Sequence, residues 1–222
     1  MYNNFITNKV KKTIMQYKDL IKTFTEADYA ENRVNLHIHT NYSDGCADFN
    51  DIISQAQEKG FRYIAIADHN TMKGYEENSI PQSVIPAVEF DCWHGYVFMH
   101  LLAYGVDFHN KELQKFFAKT KKETELDIIR FFTSRRAPEL IRAIHNAGGI
   151  AVLAHPACCW CLSLERFIND LKKHGLDGVE AFYPYERHRG IIKFHSRETV
   201  KELADKLELI KTGGTDLHGA CL

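Results

Sequence analysis

From Arg33 onward, short apolar and β-branched runs alternate with segments whose apolar residues recur at helical spacing. The runs are Val34 to His39, Tyr63 to His69, Ser83 to Glu89, Val97 to Ala103, Ile150 to His155, Gly178 to Tyr183 and Leu209 to Thr212. Between them, Ile52, Ile53 and Ala56 mark one helix, and Leu164, Phe167, Ile168 and Leu171 mark another after the N-cap candidate Ser163. Gly60, Gly148-Gly149 and Gly175 fall where helices should end. Strands alternating with helices predict a largely parallel sheet with helices outside it, either a closed barrel or an open doubly wound sheet. No glycine-rich phosphate loop follows any strand run, which weighs against the open-sheet nucleotide folds. Residues 7 to 30 read as an amphipathic helix with Val10, Ile14, Tyr17, Ile21 and Phe24 on one stripe, expected to pack across the barrel. The expected division is a helical extension over 1–32 and one α/β domain over 33–222.

Composition narrows the function classes. The 222 residues suffice for one sizeable core, and the 45% apolar and 26% charged fractions are those of a globular protein. With 28 basic against 29 acidic residues there is no global pull toward long nucleic acid or an anionic membrane. Any anionic substrate must be held by a local site. No apolar stretch is long enough to span a bilayer and no secretory signal is visible, so a cytoplasmic location is expected. The 12 histidines exceed what a surface needs, and six cysteines in that setting are free thiols, metal ligands or redox groups.

The histidines concentrate at strand ends. His37 and His39 alternate onto one face, and Asp216 and His218 repeat that spacing after the last strand. His69, Glu89 and His155 end three further runs and His100 lies within a fourth. The C-terminal ends of parallel strands build the sites of barrels and open sheets alike, so these groups should meet in one pocket. Imidazole mixed with carboxylate favours Zn, Mn or Fe over Ca or Mg. With Asp44 the set has nine members, more than one ion can use.

The stretches N-L-H-I-H-T-N-Y-S-D-G, A-I-A-D-H-N, A-V-E-F, M-H-L-L-A-Y-G, L-A-H-P, D-G-V-E-A-F-Y-P and G-G-T-D-L-H-G occur in order from Val34 to Gly219. As an ordered set they resemble the polymerase and histidinol phosphatase (PHP) family. The resemblance implies a distorted seven-stranded, TIM-like barrel with two or three divalent ions. It implies that His37, His39, Glu89 and Asp216 hold one ion, that Glu89 bridges to a second completed by His100 and His155, and that Asp44, His69 and His218 hold the third. The chemistry implied is hydrolysis of a small phosphate ester by a metal-activated water, with no protein nucleophile. Related phosphatases carry a cap domain between the equivalents of His100 and His155; here that interval is filled by a charged helical stretch, Lys111 to Arg136, and a helix from Pro138 to Ala147. The absence of a cap implies an open site. There is no appended polymerase region, and the three residues after Gly219 leave either a compact member or a truncated chain.

Other residues carry paired readings. Asp68 is either a partner for a ligand histidine or a hydrogen-bond acceptor for a loop. Lys73, Arg187, His188 and Arg189 follow strands on the expected face and are candidates for binding phosphate, or are solvated surface. His94, on the expected turn between Glu89 and His100, is a candidate pocket residue. All six cysteines lie within six residues after a candidate ligand and are expected on the metal face. They are either small residues tolerated in loops or a redox-sensitive rim, with Cys158 and Cys161 as a C-x-x-C pair. Two rival functions remain at this stage: an amidohydrolase barrel, which also opens on H-x-H, and a non-enzymatic metal-binding or redox-sensing module.

Overall fold

The structure is a computed structural model that describes residues 17–184 and 194–222. Among the described residues seven strands form: β1 (Val34–Ile38), β2 (Tyr63–Ile66), β3 (Ala87–His94), β4 (Val97–Tyr104), β5 (Ile150–Leu153), β6 (Gly178–Phe182) and β7 (Ile210–Gly213). Helix α1 (Glu26–Ala30) precedes β1, and the helices between the strands include α2 (Phe49–Glu58), α3 (Lys73–Glu77), α4 (Lys111–Gln114), α5 (Lys122–Glu125), α6 (Asp127–Phe131), α7 (Ala137–Asn146), α8 (Leu164–Lys173) and α9 (Arg197–Lys206). Caps account for where several begin. The Asp48 side chain accepts from Asn50 N–H at the start of α2, and Ser163 from Arg166 N–H at the start of α8.

The strands do not make one hydrogen-bonded ring. β1 and β2 form a parallel pair, and β3 to β7 form a five-stranded sheet in chain order. Single bridges join the two sheets, Ile64 to Val84 and His69 to Glu89 at one seam, Ile38 to Leu217 at the other. Nor is the sheet wholly parallel, since β4 runs antiparallel to both β3 and β5. The physical reason is the tight link at Gly95-Tyr96: His94 pairs with Val97, and so short a connection can join only antiparallel strands. The expected strand from Ser83 is also interrupted. Pro86 has no N–H to give to a ladder, and regular pairing starts at Ala87. The charged helical stretch Lys111 to Arg136 folds as the short helices α4, α5 and α6.

Alternation along the strands sorts two apolar layers. Val34, Leu36, Ala65, Ala67, Ile85, Ala87, Leu102, Tyr104, Val152 and Ala154 form an inner cluster. Ile21 and Phe24, just before α1, pack into it. Ile38, Ile66, Val88, Phe90, Leu101, Leu153, Val179 and Ala181 face outward against α2, α7 and α8. Two close approaches near the β1 end require glycine. A Cβ on Gly214 would lie 2.4 Å from His37 Cβ, and one on Gly45 would lie 2.5 Å from the His39 carbonyl carbon.

Candidate metal centre

The inner faces change character along their length. On β2 the positions Ala65 and Ala67 continue to His69; on β3, Ile85 and Ala87 continue to Glu89 and Asp91; on β4, Tyr104 and Leu102 lead back to His100. Alternation alone therefore lifts these side chains above the apolar cluster. β1 uses a different device. Its pairing with β2 shifts register between Asn35 and Ile38, so Val34 and Leu36 join the inner cluster while Ile38 joins the outer one. Asn35 then fixes the β1–β7 seam: its Nδ2 donates to Thr215 Oγ1, and its Oδ1 accepts from the N–H of Thr215. His155 and Asp216 leave their strands with φ of 28° and 49°, backbone conformations that non-glycine residues rarely adopt. Such strain persists where surrounding structure over-determines it, and both residues lie in this cluster.

Glu89 is the centre of the arrangement. It is 1% exposed, and its two oxygens face different partners. Oε2 lies 3.2 Å from His37 Nε2, 3.3 Å from His39 Nε2 and 3.3 Å from His69 Nε2. Oε1 lies 3.1 Å from His100 Nδ1 and 3.3 Å from His155 Nε2. Asp216 Oδ1 stands 3.4 Å from His37 Nε2 and 3.1 Å from His39 Nε2. Asp44 joins from the loop after β1, 3.3 Å from His218 Nε2 and 3.8 Å from His69 Nε2. All nine sequence-predicted ligands thus meet at one end of the strands. His37, His39, Glu89 and Asp216 make one group with metal-ligand spacing; His39, Asp44, His69 and His218 make a second; His69, Glu89 and His100 make a third.

The donor set suits divalent cations. His37 Nε2, both ring nitrogens of His39, Asp44 Oδ1 and His69 Nδ1 are buried without a hydrogen-bond partner. Buried polar atoms in such number are costly unless something pairs with them, and neighbouring orphans that are all potential ligands fit a bound ion. Protonation follows the same demand for positive charge. Burial opposes a charge on His37, yet Glu180, Glu89 and Asp216 outweigh it and raise its pKa well above the ordinary value. His39 is buried too, and Asp216 and Glu89 still bring it up to about 9. Burial wins at His69, where the neighbouring charges of Asp91 and Glu89 are too weak to offset it and the pKa falls to about 3. Burial of Glu89 is overridden by His37, His69 and His100, which hold it well below the carboxylate range.

Three functional candidates lie outside the sequence-predicted set. Glu180, fully buried on β6, accepts from His37 Nδ1 at 2.9 Å through Oε1 and from the His155 N–H at 2.9 Å through Oε2. A carboxylate only accepts, so this contact fixes the proton of His37 on Nδ1 and leaves Nε2 for a ligand role. Asp91, buried on β3, lies 3.1 Å from His100 Nε2 and 3.4 Å from His69 Nδ1. Arg130 on α6 is 6% exposed and reaches Asp44 Oδ2 at 3.0 Å. A cavity of about 370 Å³ opens over this cluster, lined by Glu89, Asp91, Phe98, Arg130, His155 and His218 among others.

Several secondary expectations change. Asp68 accepts from Thr40 N–H, Thr40 Oγ1 and Ser43 Oγ, so it holds the loop after β1 rather than a ligand histidine. His94 does not line the cavity: β3 continues through it, and its Nε2 contacts Asp170 Oδ2 at 2.8 Å on the outer side of the sheet. Lys73 is exposed at the start of α3 and is not part of the cavity wall. Arg187, His188 and Arg189 lie outside the described residues. No cysteine lines this cavity, and the placement of all six on the metal face fails at Cys92, which packs in the outer core because it alternates to the face opposite Glu89 and Asp91. Burial pushes the thiols of Cys92 and Cys159 up, which disfavours the reactive thiolate.

Comparison with known proteins agrees with this geometry. The PHP domain model matches residues 35–177, and the chain belongs to that family. An uncharacterized protein of Methanocaldococcus jannaschii is 28% identical over 197 residues, covering 78% of this chain and 95% of the relative. A phosphoribosyl 1,2-cyclic phosphate 1,2-diphosphodiesterase of Eggerthella lenta is 23% identical over 255 residues, covering 83% of this chain and 94% of its own. Two solved structures share the fold. A putative metal-dependent phosphoesterase from Bifidobacterium adolescentis superposes with a TM-score of 0.64 at 21% identity, covering 84% of this chain and 87% of its own. A protein from Chromobacterium violaceum described as an amidohydrolase does so with a TM-score of 0.65 at 18% identity, covering 84% and 88%.

Proposed function

We propose that this protein is a metal-dependent phosphoesterase that hydrolyses a small phosphate ester, its strand ends forming a distorted barrel around two or three divalent ions. The observation that carries the reading is Glu89, whose Oε2 faces His37, His39 and His69 while Oε1 faces His100 and His155. A carboxylate so divided suits a bridge between ions. His37, His39, Glu89 and Asp216 would hold one ion; Glu89, His100 and His155 a second; Asp44, His69 and His218 a third. Zn, Mn or Fe bound there would supply an acidified water as nucleophile and offset charge on the phosphoryl oxygens.

The remaining work falls to this chain's side chains. Glu180 orients His37 and, through the His155 N–H, the strained start of the loop after β5. Among the described residues, Arg130 is the arginine in the cavity wall, and its fork suits a phosphoryl oxygen as well as Asp44. Burial opposes its charge, but Asp91 and Asp44 keep it fully protonated. Phe98 gives the cavity one apolar wall, suited to the organic part of an ester. The Eggerthella lenta relative is named as a diesterase, and that favours a short phosphodiester as the first substrate to try. The name amidohydrolase on the Chromobacterium violaceum protein makes amides and lactones the comparison arm. Parallel assays on an aryl phosphodiester, an aryl phosphomonoester and a panel of amides and lactones, each with added Mn or Zn, test the reading. Release of phenol from either phosphate ester is expected; turnover confined to amides or lactones would replace it with the amidohydrolase reading.

A further inference from the structure

A second constellation of ligand-type side chains stands apart from the strand-end cluster. His94, the last residue of β3, meets Asp170 on α8 and His174 immediately after it, and one potential ligand atom from each lies within 4.8 Å of the others. None of the three lines the central cavity. We propose that His94, Asp170 and His174 form an outer metal site that takes a single Zn(II) ion, with one coordination position left to water.

Geometry and chemistry both support a cation there. Asp170 and His174 are four residues apart at the C-terminal end of α8, so they lie on one face of the helix, one turn apart. That helix end carries the negative pole of the backbone dipoles, which favours a cation. His94 approaches from the sheet, its Nε2 at 2.8 Å from Asp170 Oδ2 and its ring 5.7 Å from that of His174. Among the described residues, the His174 ring has no hydrogen-bond partner, so an ordinary His94–Asp170 pair leaves it unused. Two imidazoles and one carboxylate are a donor set that tetrahedral zinc accepts, with water in the fourth position. One side chain competes: Lys173 Nζ lies 3.4 Å from Asp170 Oδ1, the oxygen that His94 does not use. It is 75% exposed and free to turn into solvent. Phe167 packs edge-on against the His94 ring at 5.7 Å and limits its rotation. A bound ion would staple the β3–β4 hairpin, whose strands carry Glu89, Asp91 and His100, to the helix outside it.

The test is zinc binding by the full chain, measured by competition with a chromophoric chelator, together with the thermal midpoint at rising zinc. Wild type is compared with Asp170→Asn and His174→Ala, two changes at the protein surface that leave the central ligands in place. The expected result is one fewer zinc equivalent in each variant, loss of the corresponding zinc-dependent rise in midpoint, and unchanged turnover of aryl phosphate ester. If both variants bind as many equivalents as wild type, the site does not exist. The central site is read separately: should it bind nothing, wild type would show a single equivalent and both variants none.

Discussion

The same strand faces carry two regions of opposite chemistry. Ala65 and Ala67 lie below His69, Ile85 and Ala87 below Glu89, and Leu102 and Tyr104 below His100. The lower region is apolar, plugged by Ile21 and Phe24; burial of this kind drives folding. In the upper region six histidines crowd around Glu89 together with Asp44, Asp91 and Asp216, several of their polar atoms without partners. The contrast teaches that stability and chemistry are divided along the strands, one face serving both. It also explains how residues at the top can be specialised without dismantling the core.

The division can be broken from either side. Replacing both His37 and His39 by alanine should reduce phosphate-ester turnover below detection while the circular dichroism spectrum and cooperative melting persist; retained turnover with added Mn or Zn would contradict the ligand roles. Leu102→Ala, in the apolar region, should do the reverse. It should lower stability by about 2–5 kcal/mol in denaturant unfolding while the metal-loaded folded protein keeps its turnover. Glu180→Gln tests the boundary between the regions. Glutamine keeps one acceptor oxygen but loses the charge and sets an NH2 against either His37 Nδ1 or the His155 N–H, which should weaken metal affinity about 10- to 100-fold, measured by competition with a chelator, with little change in melting.

The smallest expected effect lies outside the sheet. Asp177 accepts from Lys18 Nζ at 2.6 Å and from the Ala151 N–H at 2.9 Å, and lies 2.7 Å from His145 Nε2. Burial acts to raise its pKa, but His145, Lys18 and the Ala151 amide outweigh it and depress the value. A carboxylate with a depressed folded pKa stabilises above its unfolded value of about 3.9 and loses that contribution as pH falls through the folded one. Asp177→Asn should therefore cost about 1 kcal/mol at neutral pH, and the difference from wild type should shrink as the pH is taken below about 4. A difference that stays constant across that range would show that charge is not what Asp177 contributes.

How far the sequence leads depends on which feature is local. Strand ends are legible because alternation has a period of two, so His37 with His39, or Asp216 with His218, announces a shared face without any tertiary knowledge. Asp91 was within reach by the same rule, two residues beyond Glu89 on its face. Glu180 stood inside the D-G-V-E-A-F-Y-P stretch, but its role depends on β6 passing beneath His37, which no local pattern states. Arg130 left no signal at all, since one arginine in a charged stretch looks like solvated surface until α6 folds over the cavity. His94 failed for a register reason: the expected turn was strand, and pairing that continues five residues beyond Glu89 sent its ring to the outer side. The antiparallel β4 was hidden likewise, because the helix–strand alternation that predicts parallel sheets is blind to one hairpin.

The central claim is that the strand-end cluster is a metal site and that phosphate-ester hydrolysis depends on it. Titrating the chelator-treated protein with Mn(II) or Zn(II) while following both bound metal and aryl phosphate ester turnover tests it most directly. The account predicts turnover that is absent after chelation and returns as the His37- and His39-dependent equivalents fill. Turnover that survives complete metal removal, or metal that binds equally to the His37 and His39 double variant, would contradict it.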